Sequence, residues 1–296
     1  MTPDLALPTG ALPAPGPGSD PAIIYHYTDA AGLLGIICSR TLWASDVWFM
    51  NDRAEATYGR DAIKRYLRSK APAAKKEKNF CDTAIAMMTD LQQENGGGSY
   101  VACLSAKGDD LSQWRAYSRS GGVSIGFERQ GLERLGQALP SPWTFIVRRV
   151  AYEKALQYSL LDHYYIPIVS GLHVLRATGL VVQTEAIKFL VEALNLAPGL
   201  KNPAFRDEAE FRVHIFLGSD ADIAKTLHFR SSEMGVTPYL KVPLCEPGKD
   251  ELTIIREVII GPQRHPRESR RAIRQLLDAN KLTDVEIRVS EIPLRA

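Results

Sequence analysis

The chain has 296 residues, of which 45% are hydrophobic and 24% charged, enough for one large domain or two small ones around a buried core. Its formal net charge of +2 supplies no global field strong enough to imply nucleic acid, which leaves the question to local basic stretches. The four cysteines, Cys38, Cys81, Cys103 and Cys245, stand far apart with no histidine at ligand spacing, so neither a zinc site nor a disulfide framework is indicated, and a reducing cytoplasm fits best.

Residues 1–22 are rich in Pro, Gly and Ala and build neither a basic n-region nor an apolar h-region, so they read as a disordered arm rather than a secretory signal. A strand then delivers His26, Tyr27 and Thr28 to its end, with Asp29 placed as the N-cap of an apolar-periodic helix. A short strand over 41–45 carries Trp43, and Asn51 or Asp52 is positioned to cap a long helix over about 53–70. A further helix ends at the glycines of "ENGGGS". Beyond them come a strand over 100–105 ending in Ser105, a helical turn "LSQWRAY", and a strand over 122–127.

The apolar stretch 155–196 is interrupted by Asp162, His163, Pro167, Arg176, Glu185 and Lys188, so it lacks the roughly 18 uncharged residues of a membrane span and reads as a buried helical pair. The strand segments "EFRVHIFL", "LHFR", "TPYLKVPL" and "LTIIREVIIGP" follow, then an amphipathic helix from 266 to about 280 and a last strand "DVEIRVSEI". Strands outnumber crossover helices and cluster in the second half, so the class is α+β: a single domain over 23–296 with a helical insertion near 155–196. Neither a dinucleotide glycine fingerprint nor a Walker A sequence is present.

Polar groups at strand ends are the informative ones, because a sheet holds them rigidly. Alternation puts His26 and Thr28 on one face and Tyr25 and Tyr27 on the other, as a structural or a ligand-binding group. Trp114, Arg115 and Tyr117 share one turn beside Gly121 and Gly122, a combination suited to a flat, anionic ligand. Glu208 and Glu210 are two apart at the entry to a strand, with Arg212 continuing the row, and Glu257 begins another strand. A carboxylate so placed can face a developing cation or orient a sugar hydroxyl. Arg267, Arg270, Arg271 and Arg274 form a basic stripe opposite Ile273, Leu276 and Leu277.

The ordered pieces "YHYTDAAGLLGII", "LWAS…MND…E", "CLSAKGDDLSQWRAYS…GGVSIGF", "EAEFR" and "EVIIGP" resemble the bacterial domain-of-unknown-function 2971 family. The order of elements is similar to that of the ADP-ribosyltransferase superfamily, which implies split antiparallel or mixed sheets with flanking helices around NAD. That resemblance makes His26 the first-strand contact to NAD, Ser105 the middle-motif serine, and Glu210 or Glu257 the catalytic carboxylate. It offers Tyr27, Trp43, Trp114 and Tyr117 as aromatic faces and Arg115 or Arg230 as the pyrophosphate fork, with Thr28, Asn51 and Arg212 beside them. The implied function is an NAD-consuming ADP-ribosyltransferase-like enzyme or toxin or defence effector, cytoplasmic and not in a membrane, acting on a protein, DNA or RNA acceptor. The alternative is a nucleotide- or nucleic-acid-binding module without turnover.

Overall fold

The computed structural model describes residues 20–50, 53–71, 75–93, 98–117, 121–139, 143–174, 178–217, 223–232 and 235–293. The expected arm therefore lies almost wholly outside the described residues. Its last positions belong to the domain, because the carbonyls of Pro21 and Ala22 accept from Arg129.

In chain order the elements are β1 (Ile23–Thr28), α1 (Ala30–Ser39), β2 (Thr41–Asp46), α2 (Arg53–Lys70), α3 (Lys75–Gln93), β3 (Ser99–Ser105), α4 (Leu111–Tyr117), β4 (Val123–Glu128), α5 (Arg129–Gln137) and β5 (Trp143–Arg149). They continue with α6 (Lys154–Val174), α7 (Gly179–Leu196), β6 (Glu210–Leu217), α8 (Ile223–Thr226), β7 (His228–Ser232), β8 (Gly235–Pro243), β9 (Ile255–Ile260), α9 (Pro266–Ala279) and β10 (Glu286–Val289). The α+β class holds, with a mixed, open sheet and flanking helices. Helix α5 has no counterpart among the elements expected from the sequence. No helix among the described residues is long and apolar enough to cross a membrane.

The sheet runs β10-β9-β4-β1-β3-β2-β8-β7, with β6 on the other edge of β3 and β5 beyond it. All pairs are antiparallel except β9 with β10. Alternation along β6 decides which layer covers which face. Phe211, Val213, Ile215 and Leu217 enter a core with Leu33, Ile36 and Ile37 of α1, Leu132 and Leu135 of α5, and Ile273 and Leu277 of α9. Glu210, Arg212 and His214 point to the opposite face and are buried there too.

A second core is built mainly from helices, with Ala151 and Leu200 of an isolated bridge at its border. Tyr66, Phe80, Tyr165 and Phe189 bring α2, α3, α6 and α7 together, and their rings meet mostly edge to face. The expected insertion is thus half of a four-helix unit whose other half comes from residues 53–93. Gly59 of α2 makes one contact of this unit possible: a Cβ there would stand 2.1 Å from the Ala197 carbonyl oxygen.

The feature that positions the site is a fork in the sheet. The edge of β3 facing away from β6 is shared by two strands. Ser45 and Asp46 of β2 pair with Val101 and Tyr100 at its start, whereas Tyr25 of β1 pairs with Ser105 at its end. From there β1 peels away alongside β4 and β2 alongside β8, each keeping a full ladder with its new partner. Helix α1 bridges the two prongs, its first turn fixed by Asp29, whose carboxylate accepts from the Gly32 amide at 2.8 Å.

Candidate functional site

A cavity of about 680 Å³ opens along this fork, within the size range of small-molecule sites. His26, on the prong of β1, spans the gap: its Nδ1 donates to the Cys103 carbonyl at 2.9 Å. A bond to a carbonyl requires the proton on Nδ1, which leaves Nε2 as an acceptor. Burial holds the imidazole below its ordinary pKa, against the raising effect of the Cys103 carbonyl, so the ring is neutral at neutral pH.

Around His26 the cavity collects Thr28 from β1, Trp43 and Ser45 from β2, Tyr117 from α4, Glu208 from the turn before β6, and Arg230 from β7. Trp43 is 38% exposed and its ring is stacked on Tyr239 of β8, with centroids 4.5 Å apart and planes at 30°, which presents a fixed aromatic face. Arg230 donates to Ser45 Oγ at 3.1 Å and has no carboxylate within ion-pair distance among the described residues. Gly32 leaves room at the rim for Thr28, whose Oγ1 would stand 1.8 Å from a Cβ there and would have to turn away.

A small cavity of about 70 Å³ lies beside the first, lined by His26, Tyr117, Glu208 and Glu210 among others. Behind it is a buried charge cluster. Lys201 Nζ donates to Glu208 at 2.6 Å and to Glu210 at 3.0 Å, and Arg212 grips Glu210 through Nε at 2.6 Å and a second guanidinium nitrogen at 3.0 Å. Burial alone would raise the Glu210 pKa. The Arg212 charge and fork, then Lys201, outweigh it and hold Glu210 ionised. Two cations balance two carboxylates, the condition under which buried charges are tolerated.

The structure brings together His26, Thr28, Trp43, Tyr117 and Arg230, with one edge of Tyr27, at the larger cavity. Tyr27 is largely core. Its ring meets Trp114 edge to face, and its hydroxyl donates to the Lys107 carbonyl and accepts from the Asp110 amide. Trp114 is buried with Nε1 bonded to Asp109, and Arg115 is exposed on α4 and lines neither cavity. Ser105 is buried, donating to the Glu208 carbonyl at 2.7 Å and accepting from the Lys107 amide, so it shapes the turn that presents Glu208. Arg212 serves Glu210 rather than the open cavity.

Glu257 lies two strands from the fork, accepting from the Tyr25 hydroxyl at 2.6 Å and from Arg288 at 3.2 Å; it lines neither cavity. Asn51 lies outside the described residues. Two carboxylates line the larger cavity: Asp29, which caps α1, and Glu208, two residues before Glu210, one of the two glutamates the resemblance offers. Lys201, which fixes both glutamates, carries no sequence signal for that role. Among the described residues no group of three or more His, Cys, Asp or Glu is arranged to hold a metal ion.

A family model described as a protein of unknown function (DUF2971) matches residues 113–213. That span runs from α4 into β6 and includes the helical pair α6 and α7, so the resemblance drawn from separate motifs is supported there, across the helical stretch as well. No curated protein and no solved structure matches the chain. Over residues 113–213, then, the chain is similar to a family whose description assigns no activity.

Proposed function

We propose that the forked sheet binds a nucleotide and that the protein is an NAD-consuming, ADP-ribosyltransferase-like enzyme. The observation that carries this reading is the gap between β1 and β2 along β3, where a neutral histidine with a free acceptor, a fixed aromatic face and an arginine without a carboxylate partner converge on one cavity. His26 Nε2 suits a ribose hydroxyl, Trp43 a planar base, and Arg230 a pyrophosphate. Cleavage of a nicotinamide–ribose bond builds positive charge on the ribose, which a fixed carboxylate stabilises. Glu208 takes that role: of the two carboxylates lining the cavity, Asp29 is engaged as the cap of α1, whereas Glu208 is held there by Lys201, which Glu210 anchors.

A second reading, a nucleotide-binding module without turnover, is favoured by the engagement of every candidate carboxylate with a cation: Glu208 with Lys201, Glu210 with Lys201 and Arg212, Glu257 with Arg288. Nicotinamide release from NAD, measured with protein, DNA and RNA supplied in turn, separates the two. On the enzyme reading, Glu208→Gln lowers turnover by about 10²-fold or more with little change in NAD affinity. His26→Ala chiefly raises KM. If the wild type binds NAD by calorimetry yet releases no nicotinamide with any target, the module reading replaces the enzyme; if it does neither, both fail.

A further inference from the structure

The geometry points to the groove between α9 and β10 as a binding surface for the phosphate backbone of double-stranded nucleic acid, read without base specificity. Arg267, Arg270, Arg271 and Arg274 line this groove together with residues 283–287. The stripe does not oppose the buried Ile273 and Leu277, as the sequence suggested. It runs along the flank of α9 that faces β10, so four guanidinium groups look into one concavity.

Their engagements differ in a way that matters. Arg274 is built into the fold: it donates to the carbonyls of Leu282 and Val285 and pairs with Asp278. Arg267, Arg270 and Arg271 have no carboxylate within ion-pair distance among the described residues. Three strong cations along about 6 Å of helix axis thus lack a counter-charge of their own. The first turn of the 14-residue α9 adds its unsatisfied amides to the same end.

The acids nearby do not neutralise them. Glu286 pairs in register with Glu257, and strand alternation turns its side chain to the face that carries Tyr25, away from the α9 side that Ile287 occupies. Asp284 lines the groove and accepts from the Thr283 hydroxyl, and Glu268 stands in the first turn of α9, but among the described residues neither comes within ion-pair distance of the three arginines.

The lining also narrows the partner. No aromatic side chain lines the groove among the described residues, so the stacking platform that captures single-stranded bases is absent. No large hydrophobic side chain of α9 is exposed, so the apolar wedge an interfacial helix sinks into lipid is absent too. What remains is a line of arginine forks, the chemistry that holds successive phosphates of a stiff duplex. This surface lies beyond β9 and β4 from the fork, and its occupancy does not depend on what the forked cavity does.

The test is fluorescence anisotropy of a labelled duplex of about three helical turns with the full-length protein, repeated across a salt series. The wild type is expected to bind with a Kd on the order of 10⁻⁴ to 10⁻⁶ M near physiological salt, and log K is expected to fall against log salt with a slope of about −3. The triple variant Arg267→Gln/Arg270→Gln/Arg271→Gln should bind more than about tenfold more weakly at low salt and lose most of that slope, at an unchanged melting temperature. Should the triple variant not fold, each single Arg→Gln change is expected to reduce the slope by about one. The inference is overturned if the wild type does not bind duplex at 50 mM salt (about the lower end of the usual range), or if the variants bind with an unchanged slope. Tighter binding to a single strand of equal length, to vesicles of anionic lipid, or to pyrophosphate in place of duplex would overturn it equally.

Discussion

His26 and His214 share a property that sets how the protein responds to acid: the fold keeps both neutral. Burial depresses each, and for His214 the charges of Arg148 and Arg212 add to burial, pushing it down to about 3. Unfolded histidine takes its proton near pH 6.5, so below that pH the unfolded chain binds protons that the fold refuses. Stability should therefore fall as pH drops, by up to about 1.4 kcal/mol per pH unit for each histidine. Glu210, held low, contributes stability that is present above its ordinary value of 4.5 and lost only below it, so the decline below 6.5 begins with the histidines, opposed by Glu192 and Asp46, which burial holds above their ordinary values. The urea midpoint is expected to decline from pH 6.5 to 4.5, and His214→Gln, which can keep a bond to Ser99, should make that decline shallower. An equal decline in both proteins would remove His214 from the account. At this scale the sequence exposed His26, because a strand end and its alternation are local, whereas Trp43 entered only with the resemblance. It could not tell which of Glu208 and Glu210 lines the larger cavity. Ala209 between them adopts a left-handed conformation, φ 46°, which breaks the strand alternation before β6, and an alanine gives no sign of it.

Two glycines in helices show how packing between elements reverses a local rule. Replacing glycine by alanine within a helix ordinarily gains about 0.5–1 kcal/mol. Gly171 of α6 meets nothing within 4 Å of its added Cβ, and Gly171→Ala is expected to gain that amount. At Gly59 the obstacle is backbone, the Ala197 carbonyl oxygen at 2.1 Å and its carbon at 2.6 Å, which no rotamer change can relieve. Gly59→Ala should cost on the order of 1–3 kcal/mol, and a chemical denaturation series on the pair should show opposite signs. The same interplay explains which elements were legible. Helix α1 announces itself through Asp29 and an apolar period, and α9 through Pro266 and its stripe. Helix α5 does not: its glycines lower helix propensity, and their purpose lies elsewhere in the chain. Gly131 admits Ile254 and Gly136 admits Phe145, contacts that a Cβ would close to 2.6 and 1.8 Å.

For the whole molecule, two large cores coexist beside a small cluster of Tyr27, Trp114 and Ile259, and the helical one is assembled from stretches separated by β3, β4 and β5. Its centre is Phe189, fully buried against Tyr66, Phe80 and Tyr165. Phe189→Ala should cost about 3–5 kcal/mol. If the four helices form one cooperative unit, hydrogen exchange in that variant should accelerate together in α2, α3, α6 and α7, and less in β4 and β9. Acceleration confined to α7 would show that the helices open one at a time. The order of strands has a further consequence, for synthesis. β1, made early, waits for β4. Then β4, whose Val123, Ile125 and Phe127 are buried, waits for β9 to cover its other edge. Until β9 leaves the ribosome the growing chain carries an apolar strand with an open ladder, the kind of edge that pairs with neighbouring chains. The yield of folded protein in a cell will accordingly depend less on the stability of the finished sheet than on whether a chaperone shields β4 during the interval before β9 arrives.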